Sequence, residues 1–238
     1  MQIINSDSYE EISQRARALI IEEISNRKDL LLCASTGSSP TRTYELLADE
    51  YQDNPELFSQ LRVIKLDEWG NVLMDNPETC ESYLQQHLIQ ALHIPDSRYI
   101  SFQSNPQNPK LECSRIQNEL NSHGPVDLCI LGLGINGHIA LNEPAEFLQA
   151  NCHVAELSDM SMQHPMVTGM QEKPTYGLTL GMADIMQSKK IILLINGTHK
   201  KDIAKEFFSK RISTKIPASF LWLHPNVICL IDKEASTG

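Results

Sequence analysis

Short apolar runs alternate along this chain with segments in which apolar residues recur at every third or fourth position. The runs at 30–35, 62–66, 99–102, 126–133, 190–195 and 227–231 have the length of strands. Several are apolar at consecutive positions, as a strand covered on both faces requires. Between them, 9–26, 41–51, 80–92, 111–122 and 200–209 carry helical periodicity and predict crossover helices. The alternation predicts an α/β fold, a three-layer α/β/α Rossmann-like arrangement around an open, mostly parallel sheet. The stretch 153–176 breaks the pattern. It is rich in Met, Ser, Gln and Gly, contains Pro165 and Pro174, and predicts a mobile lid excursion.

Composition narrows the class. With 238 residues and 41% hydrophobic content the chain can bury the core of one domain, or of one domain with a small lid. The net charge of −10 is spread along the sequence, and the one basic cluster, at 200–210, is interleaved with acids. That distribution argues against a nucleic-acid partner. No run reaches the apolar length of a membrane span, and Met1-Gln2-Ile3-Ile4-Asn5 leads straight into an acidic helix without signal-peptide character. No membrane partner is expected, and a cytoplasmic location is. The six cysteines never adopt C-x-x-C spacing, and three lie inside strand-like runs, so buried reduced thiols are expected. The eight histidines form no ligand pair at helical spacing, so no metal site is expected.

Three segments carry candidate chemistry. In the first, a buried strand ends in Thr36-Gly37-Ser38-Ser39-Pro40, a small hydroxyl-rich turn opening a helix. Hydroxyls, backbone N–H groups and the positive end of the helix would suit a phosphate, although an ordinary capped helix start accounts for the same residues. Pro40 suits a first helical position. The G-K-[ST] ending of a Walker loop is missing.

In the second, Asp67 and Glu68 follow Val63-Ile64-Lys65-Leu66 at the C-terminal end of a buried strand, the edge at which open α/β sheets bind ligands. A partly desolvated carboxylate there could take a carbon-bound proton, and solvated acids at a strand exit would read the same way. The third segment is the most specific. Gly132-Leu133-Gly134-Ile135-Asn136-Gly137-His138 leads into Ile139-Ala140-Leu141-Asn142-Glu143-Pro144. Glycines allow close backbone approach, and a histidine and a carboxylate follow five residues apart. It is not a dinucleotide fingerprint, because the third glycine is at the wrong offset and a histidine stands where the helix would start.

In this order the three segments resemble the glucosamine-6-phosphate isomerase/deaminase family, with its T-G-x-x-P turn, D-E-[YW] strand end and G-x-x-x-G-H-[IL]-[AG]-[FL]-N-E-P block. The likeness extends over nearly the whole chain. Lys65-Leu66-Asp67-Glu68-Trp69, the word running from Thr79 through Cys80-Glu81-Ser82-Tyr83 to His87, and the word from Ile216 to His224 look most like the galactosamine-6-phosphate isomerase branch.

The resemblance implies a single domain over 1–238 with a lid at about 153–176. It implies Asp67 as proton acceptor at C2, His138 as the ring-opening group and Glu143 as its support. Asn136 stands where some members have aspartate, and an amide can only orient by hydrogen bonds. Thr36, Gly37, Ser38, Ser39, Gly134, Gly137 and Lys200 fall on substrate- and phosphate-binding positions. The lid arginine of glucosamine-type members has no counterpart around Met160 to His164, so phosphate binding leans on the turn and Lys200, with His164 as a further candidate.

The implied partner is a small-molecule sugar phosphate. Amine and carbonyl on neighbouring carbons already stabilise the carbanion, so no cofactor is expected. The implied reaction takes galactosamine 6-phosphate and water to tagatose 6-phosphate and ammonia, with glucosamine 6-phosphate as the alternative substrate. A chain ending soon after its last strand suggests a monomer or small homo-oligomer without allosteric regulation. Two rivals are a 6-phosphogluconolactonase, whose histidine is followed by a T-A-S-L-F-P-like run absent here, and a non-catalytic sugar-phosphate sensor, which would need a DNA-binding segment.

Overall fold

The computed structural model describes residues 1–236; the last two positions of the expected 1–238 domain lie outside the described residues. The chain runs β1 (Gln2–Ser6), α1 (Tyr9–Asn26), β2 (Leu31–Ala34), α2 (Ser38–Asp53), β3 (Arg62–Lys65), β4 (Asp67–Gly70), α3 (Cys80–Leu84), β5 (Tyr99–Ile100) and α4 (Pro109–His123). It continues through β6 (Leu128–Gly132), β7 (His153–Ala155), α5 (Asp159–Met162), α6 (Pro165–Gly169), β8 (Tyr176–Thr179), α7 (Met182–Met186), β9 (Lys190–Ile195), α8 (Lys201–Phe207) and β10 (Val227–Asp232).

Seven strands form one parallel sheet in the order β1-β10-β9-β6-β2-β3-β5. The apolar strand runs are buried on both faces, as their sequences require. In β2, Leu31 and Cys33 face one layer with Cys113 and Ile116 of α4, Ile185 of α7 and Phe207 of α8. Leu32 and Ala34 face the other, with Ile12 and Ile20 of α1 and Tyr44 and Leu47 of α2. This is the expected three-layer arrangement. The expected reduced thiols are also found: all six cysteines are free, and five are buried.

Three features differ from the sequence expectations. β1 precedes the first helix as an edge strand, and its polar, largely exposed sequence gives no apolar run to read. A second, antiparallel sheet in the order β4-β8-β7 stands beyond the C-terminal edge of the first. It takes both ends of the expected lid as strands, leaving α5, α6 and their loops between them. The helix expected over 80–92 begins as α3 and continues into a wider π-type turn over Gln85–Ile89. None of the described helices is long and apolar enough to cross a membrane.

Strand order reverses its direction of growth between β2 and β6. From β2 the chain adds β3 and β5 on one side, whereas β6, β9 and β10 lie on the other. In open α/β sheets the crevice outside the strand ends at such a point receives ligands. The loops leaving β2 and β6 there contain the hydroxyl turn and the glycine-histidine block.

Candidate active site

A cleft of about 480 Å³ opens at this point, lined from β2, β4, β6, the α5–α6 segment and the loop after β9. Thr36, Gly37, Ser38 and Ser39 form one wall. Gly37 has φ +92°, a conformation that disfavours any residue with a Cβ. α2 therefore starts at Ser38, so Pro40 occupies the third helical position rather than the first, still within the turn whose N–H groups have no helical partner. Hydroxyls brace the turn: Tyr83 donates to the Gly37 carbonyl at 3.0 Å, Thr41 does so at 2.9 Å, and Ser39 donates to Asn196 Oδ1 at 2.7 Å.

Lys200, just before α8, lines the same cleft. Burial alone pushes its ammonium down to about 8. His164 faces the turn from the α5–α6 segment, with Nε2 3.6 Å from where a Cβ on Gly37 would sit. Its Nδ1 accepts the Met166 N–H at 3.3 Å, and its ring lies 5.8 Å from that of Trp69. Burial, with the charges of His138 and Lys200, lowers it to about 4, so near neutral pH it is an uncharged imidazole with Nε2–H as its donor.

The adjacent carboxylates of β4 have separate fates, because successive strand side chains point to opposite faces. Glu68 is fully buried. It accepts the N–H groups of Trp69, Cys80 and Glu81 at 2.8–2.9 Å and pairs with Lys65 at 2.7 Å. Lys65, itself without exposure, also reaches Glu81 at 2.7 Å and the Phe102 carbonyl at 2.8 Å. Asp67 instead lines the cleft. Burial, followed by the neighbouring Glu68 charge, raises it to about 7 against the opposing pull of Lys65 and a hydrogen bond from Cys80. A carboxylate so placed is poised as a base near neutral pH.

His138 lies over Gly134, where an added Cβ would come within 2.4 Å of the imidazole Cδ2 and Nε2. Its buried Nδ1 stands 3.5 Å from Glu143 Oε2, close enough for an ion pair once the ring is protonated but longer than a formed hydrogen bond. Burial opposes ionisation of Glu143. The His138, Ser161 and Asn136 contacts more than offset it and hold the carboxyl at about 2. Asn136 ties the pair together: Nδ2 donates to Glu143 Oε2 at 2.8 Å, and Oδ1 accepts the His138 N–H at 3.1 Å.

The structure thus brings Thr36, Gly37, Ser38, Ser39, Asp67, Gly134, His138 and Lys200 onto one cleft. Glu143 and Asn136 contact His138 from outside its lining. Gly137, expected at a binding position, is not among the residues that line it. With φ +86° it turns the backbone, its carbonyl accepts the Ala218 N–H at 2.9 Å, and an added Cβ would meet Ile216 Cγ2 at 2.8 Å. Sequence reading overlooked three contributors. Tyr83 and Asn196 bond the hydroxyl turn, and Ser161 of α5 donates to Glu143 Oε1. Each is remote in sequence from what it holds: Tyr83 lies in a branch-like word that gives no sign of the turn, and no local motif marks Asn196 or Ser161.

The family model described as glucosamine-6-phosphate isomerases/6-phosphogluconolactonase matches residues 5–229. The chain is 41% identical over 226 residues to the Escherichia coli (strain K12) protein named "Putative deaminase AgaI", covering 95% of this chain and 90% of that one. It is 34% identical to a glucosamine-6-phosphate deaminase of Geobacillus sp. (strain WCH70), covering 99% and 94%. A solved monomeric glucosamine-6-phosphate deaminase superposes with a TM-score of 0.94 at 32% identity, covering 99% of this chain and 98% of that one. The 6-phosphogluconolactonase of Trypanosoma cruzi, at 22% identity and a TM-score of 0.80 over 98% and 95% of the chains, shares the fold. With the matched region spanning both the sheet and every part of the cleft, the chain belongs to the glucosamine-6-phosphate isomerase/6-phosphogluconolactonase family and is an enzyme of its isomerase/deaminase kind.

Proposed function

We propose that this cleft converts a 2-amino-2-deoxy-hexose 6-phosphate and water into the ketose 6-phosphate and ammonia, and that the preferred sugar is galactosamine 6-phosphate, giving tagatose 6-phosphate. The observation that carries the reading is the pairing, in one cleft, of a carboxylate raised to about 7 with a carboxylate-backed imidazole. The turn from Thr36 to Ser39 and Lys200 receive the phosphate dianion beside them, with the His164 Nε2–H donating from the α5–α6 segment, which covers the bound sugar.

His138 opens the ring. Its Nδ1 is directed at Glu143, which leaves Nε2 to protonate the ring oxygen and to take the C1 hydroxyl proton. Glu143 stabilises the cation and fixes the tautomer, as a carboxylate does for histidine in other acid/base sites. Asp67 then removes the C2 proton of the open aldehyde and delivers a proton to C1. The enolamine becomes the imine of the ketose, and water releases ammonia.

The galacto preference rests on the three branch-like sequence words, which fall on the layer around the cleft. Lys65 and Trp69 flank Asp67, Tyr83 braces the phosphate turn, and Ile216 with Ala218 supports the Gly137 turn. Ammonia release from galactosamine 6-phosphate and glucosamine 6-phosphate, compared side by side, tests the reading. Faster turnover of the galacto sugar is expected. A clear gluco preference overturns the branch assignment, and lactone hydrolysis without ammonia release from either sugar overturns the reaction.

A further inference from the structure

Cys80 belongs to one of the branch-like words, yet the scheme above gives it no task. It opens α3, is 1% exposed, and packs beside Trp69 and Val72. Its backbone N–H donates to Glu68 Oε1 at 2.9 Å, so the sulfur is held from the same carboxylate that neighbours Asp67 in the chain. The thiol makes two contacts. Sγ lies 3.8 Å from Asp67 Oδ1, and it accepts the Thr36 hydroxyl at 3.5 Å. Among the described residues, no other side-chain or backbone donor reaches the Asp67 carboxylate.

We propose that Cys80 is a positioning residue for the reaction: its S–H orients the Asp67 carboxylate and its sulfur takes the Thr36 hydroxyl, so phosphate turn and base share one fixed sulfur. The proposal rests on the reading of Asp67 as the C2 base. Its chemical sense lies in the weakness of the thiol as a donor. A strong donor at this place would stabilise the carboxylate anion and make it a poorer base. With no donor, the carboxylate would be free to rotate out of line with C2. A long, soft S–H contact orients the group at little cost in basicity. Burial also keeps the thiol protonated, as a donor must be, since desolvation and the Glu68 and Asp67 charges raise it well above the usual thiol range.

The remaining charged and titratable groups around Asp67 are Cys33 of β2, Lys65, Glu68 and Glu81 behind β4, and Tyr83, His138, His164, His199 and Lys200 along the cleft. None of them is altered by a change at position 80, so the pH profile of kcat/KM isolates the thiol. Cys80→Ala removes the donor. The acid limb is expected to move up by about half to one pH unit, with kcat at pH 7 down by roughly fivefold and KM within about twofold of the parent. Cys80→Ser restores a hydroxyl donor, and its acid limb is expected at or below that of the parent.

The proposal is overturned if Cys80→Ala leaves the acid limb in place, or if Ala and Ser displace it upward alike, the result of a change in packing alone. Thermal unfolding of both variants identifies loss of fold, and the Ser variant, closer in size to the thiol, keeps the comparison available. Asp67→Asn assayed alongside separates the two levels. Retained turnover there defeats the base assignment itself, whereas an inactive Asp67→Asn with an unmoved limb in Cys80→Ala defeats only the role of the thiol.

Discussion

Glu68 and Asp67 are consecutive carboxylates with opposite surroundings: the first is closed in by Lys65 and three backbone N–H groups, the second is open to the cleft with one thiol for company. The difference predicts opposite consequences for two isosteric changes. Glu68→Gln leaves the buried Lys65 with Glu81 as its only carboxylate partner and should destabilise the fold by about 3 kcal/mol. Denaturant unfolding checks it, and a change below about 1 kcal/mol would show that the Lys65 network contributes little.

Asp67→Asn should abolish turnover while leaving binding of an unreactive sugar 6-phosphate nearly intact. It should also stabilise the protein at neutral pH. A carboxyl raised to about 7 in the folded state is still half protonated at pH 7, whereas in the unfolded chain it ionises near pH 4, so folding stability is full below pH 4 and falls as pH rises toward 7. The asparagine has no such penalty. Its advantage in thermal unfolding should be nearly absent at pH 4, grow to about 4 kcal/mol by pH 7, and then level off. A constant difference across that range would contradict the raised carboxyl.

The pH dependence of kcat/KM should be a narrow bell. Asp67 must be ionised, which sets the acid limb near pH 7, and Lys200 must be charged to receive phosphate, which sets the basic limb near pH 8. In kcat the basic limb should move higher, because a bound dianion favours the ammonium form. Lys200→Arg, whose guanidinium stays charged throughout, should lose the limb near pH 8. Its persistence in that variant would assign it to another group.

Much of this was legible in the sequence for a physical reason: a strand buried on both faces leaves a continuous apolar run, and the loops at its C-terminal end carry the chemistry. β2 and β6 with their glycine turns are such cases. β4 is not, because a four-residue strand opening with two acids reads as the end of β3. β7 and β8 are equally hidden, since an antiparallel sheet assembled from segments remote in sequence from β4 has no local periodicity to announce it. Gly137 is ambiguous in sequence, because a residue that turns the backbone and one that admits a ligand leave the same letter. Cys80 and Ser161 act through contacts that only the tertiary structure creates.

Ser161 links the α5–α6 segment to the imidazole support, donating to the Glu143 oxygen that His138 and Asn136 leave free. Ser161→Ala should lower kcat by roughly tenfold on the ring-closed substrate, the order of effect expected when acid/base support is weakened. On an analogue fixed in the open-chain form the loss should be much smaller, and His138→Gln should show the same contrast more strongly. Equal losses on both substrates would mean that Ser161 serves closure of the segment and not ring opening.

Gly134→Ala tests whether the glycine block positions the histidine or merely shapes a loop. A methyl there would meet the imidazole at 2.4 Å, and the clash cannot be relieved by the flexible end of a long side chain, because the whole ring lies across the position. The ring must shift, and the shift disturbs its 3.5 Å contact with Glu143, which is already longer than a hydrogen bond. Since Gly134 is not in the left-handed region, the backbone itself tolerates alanine, and global stability should change by less than about 1 kcal/mol. Ring-opening turnover should nevertheless fall by roughly a hundredfold, the scale of loss expected from a misplacement of about 1 Å at an acid/base group. A Gly134→Ala protein with parental stability and parental kcat would show that His138 has room to work without this contact, and would remove the physical reason for a glycine at that position.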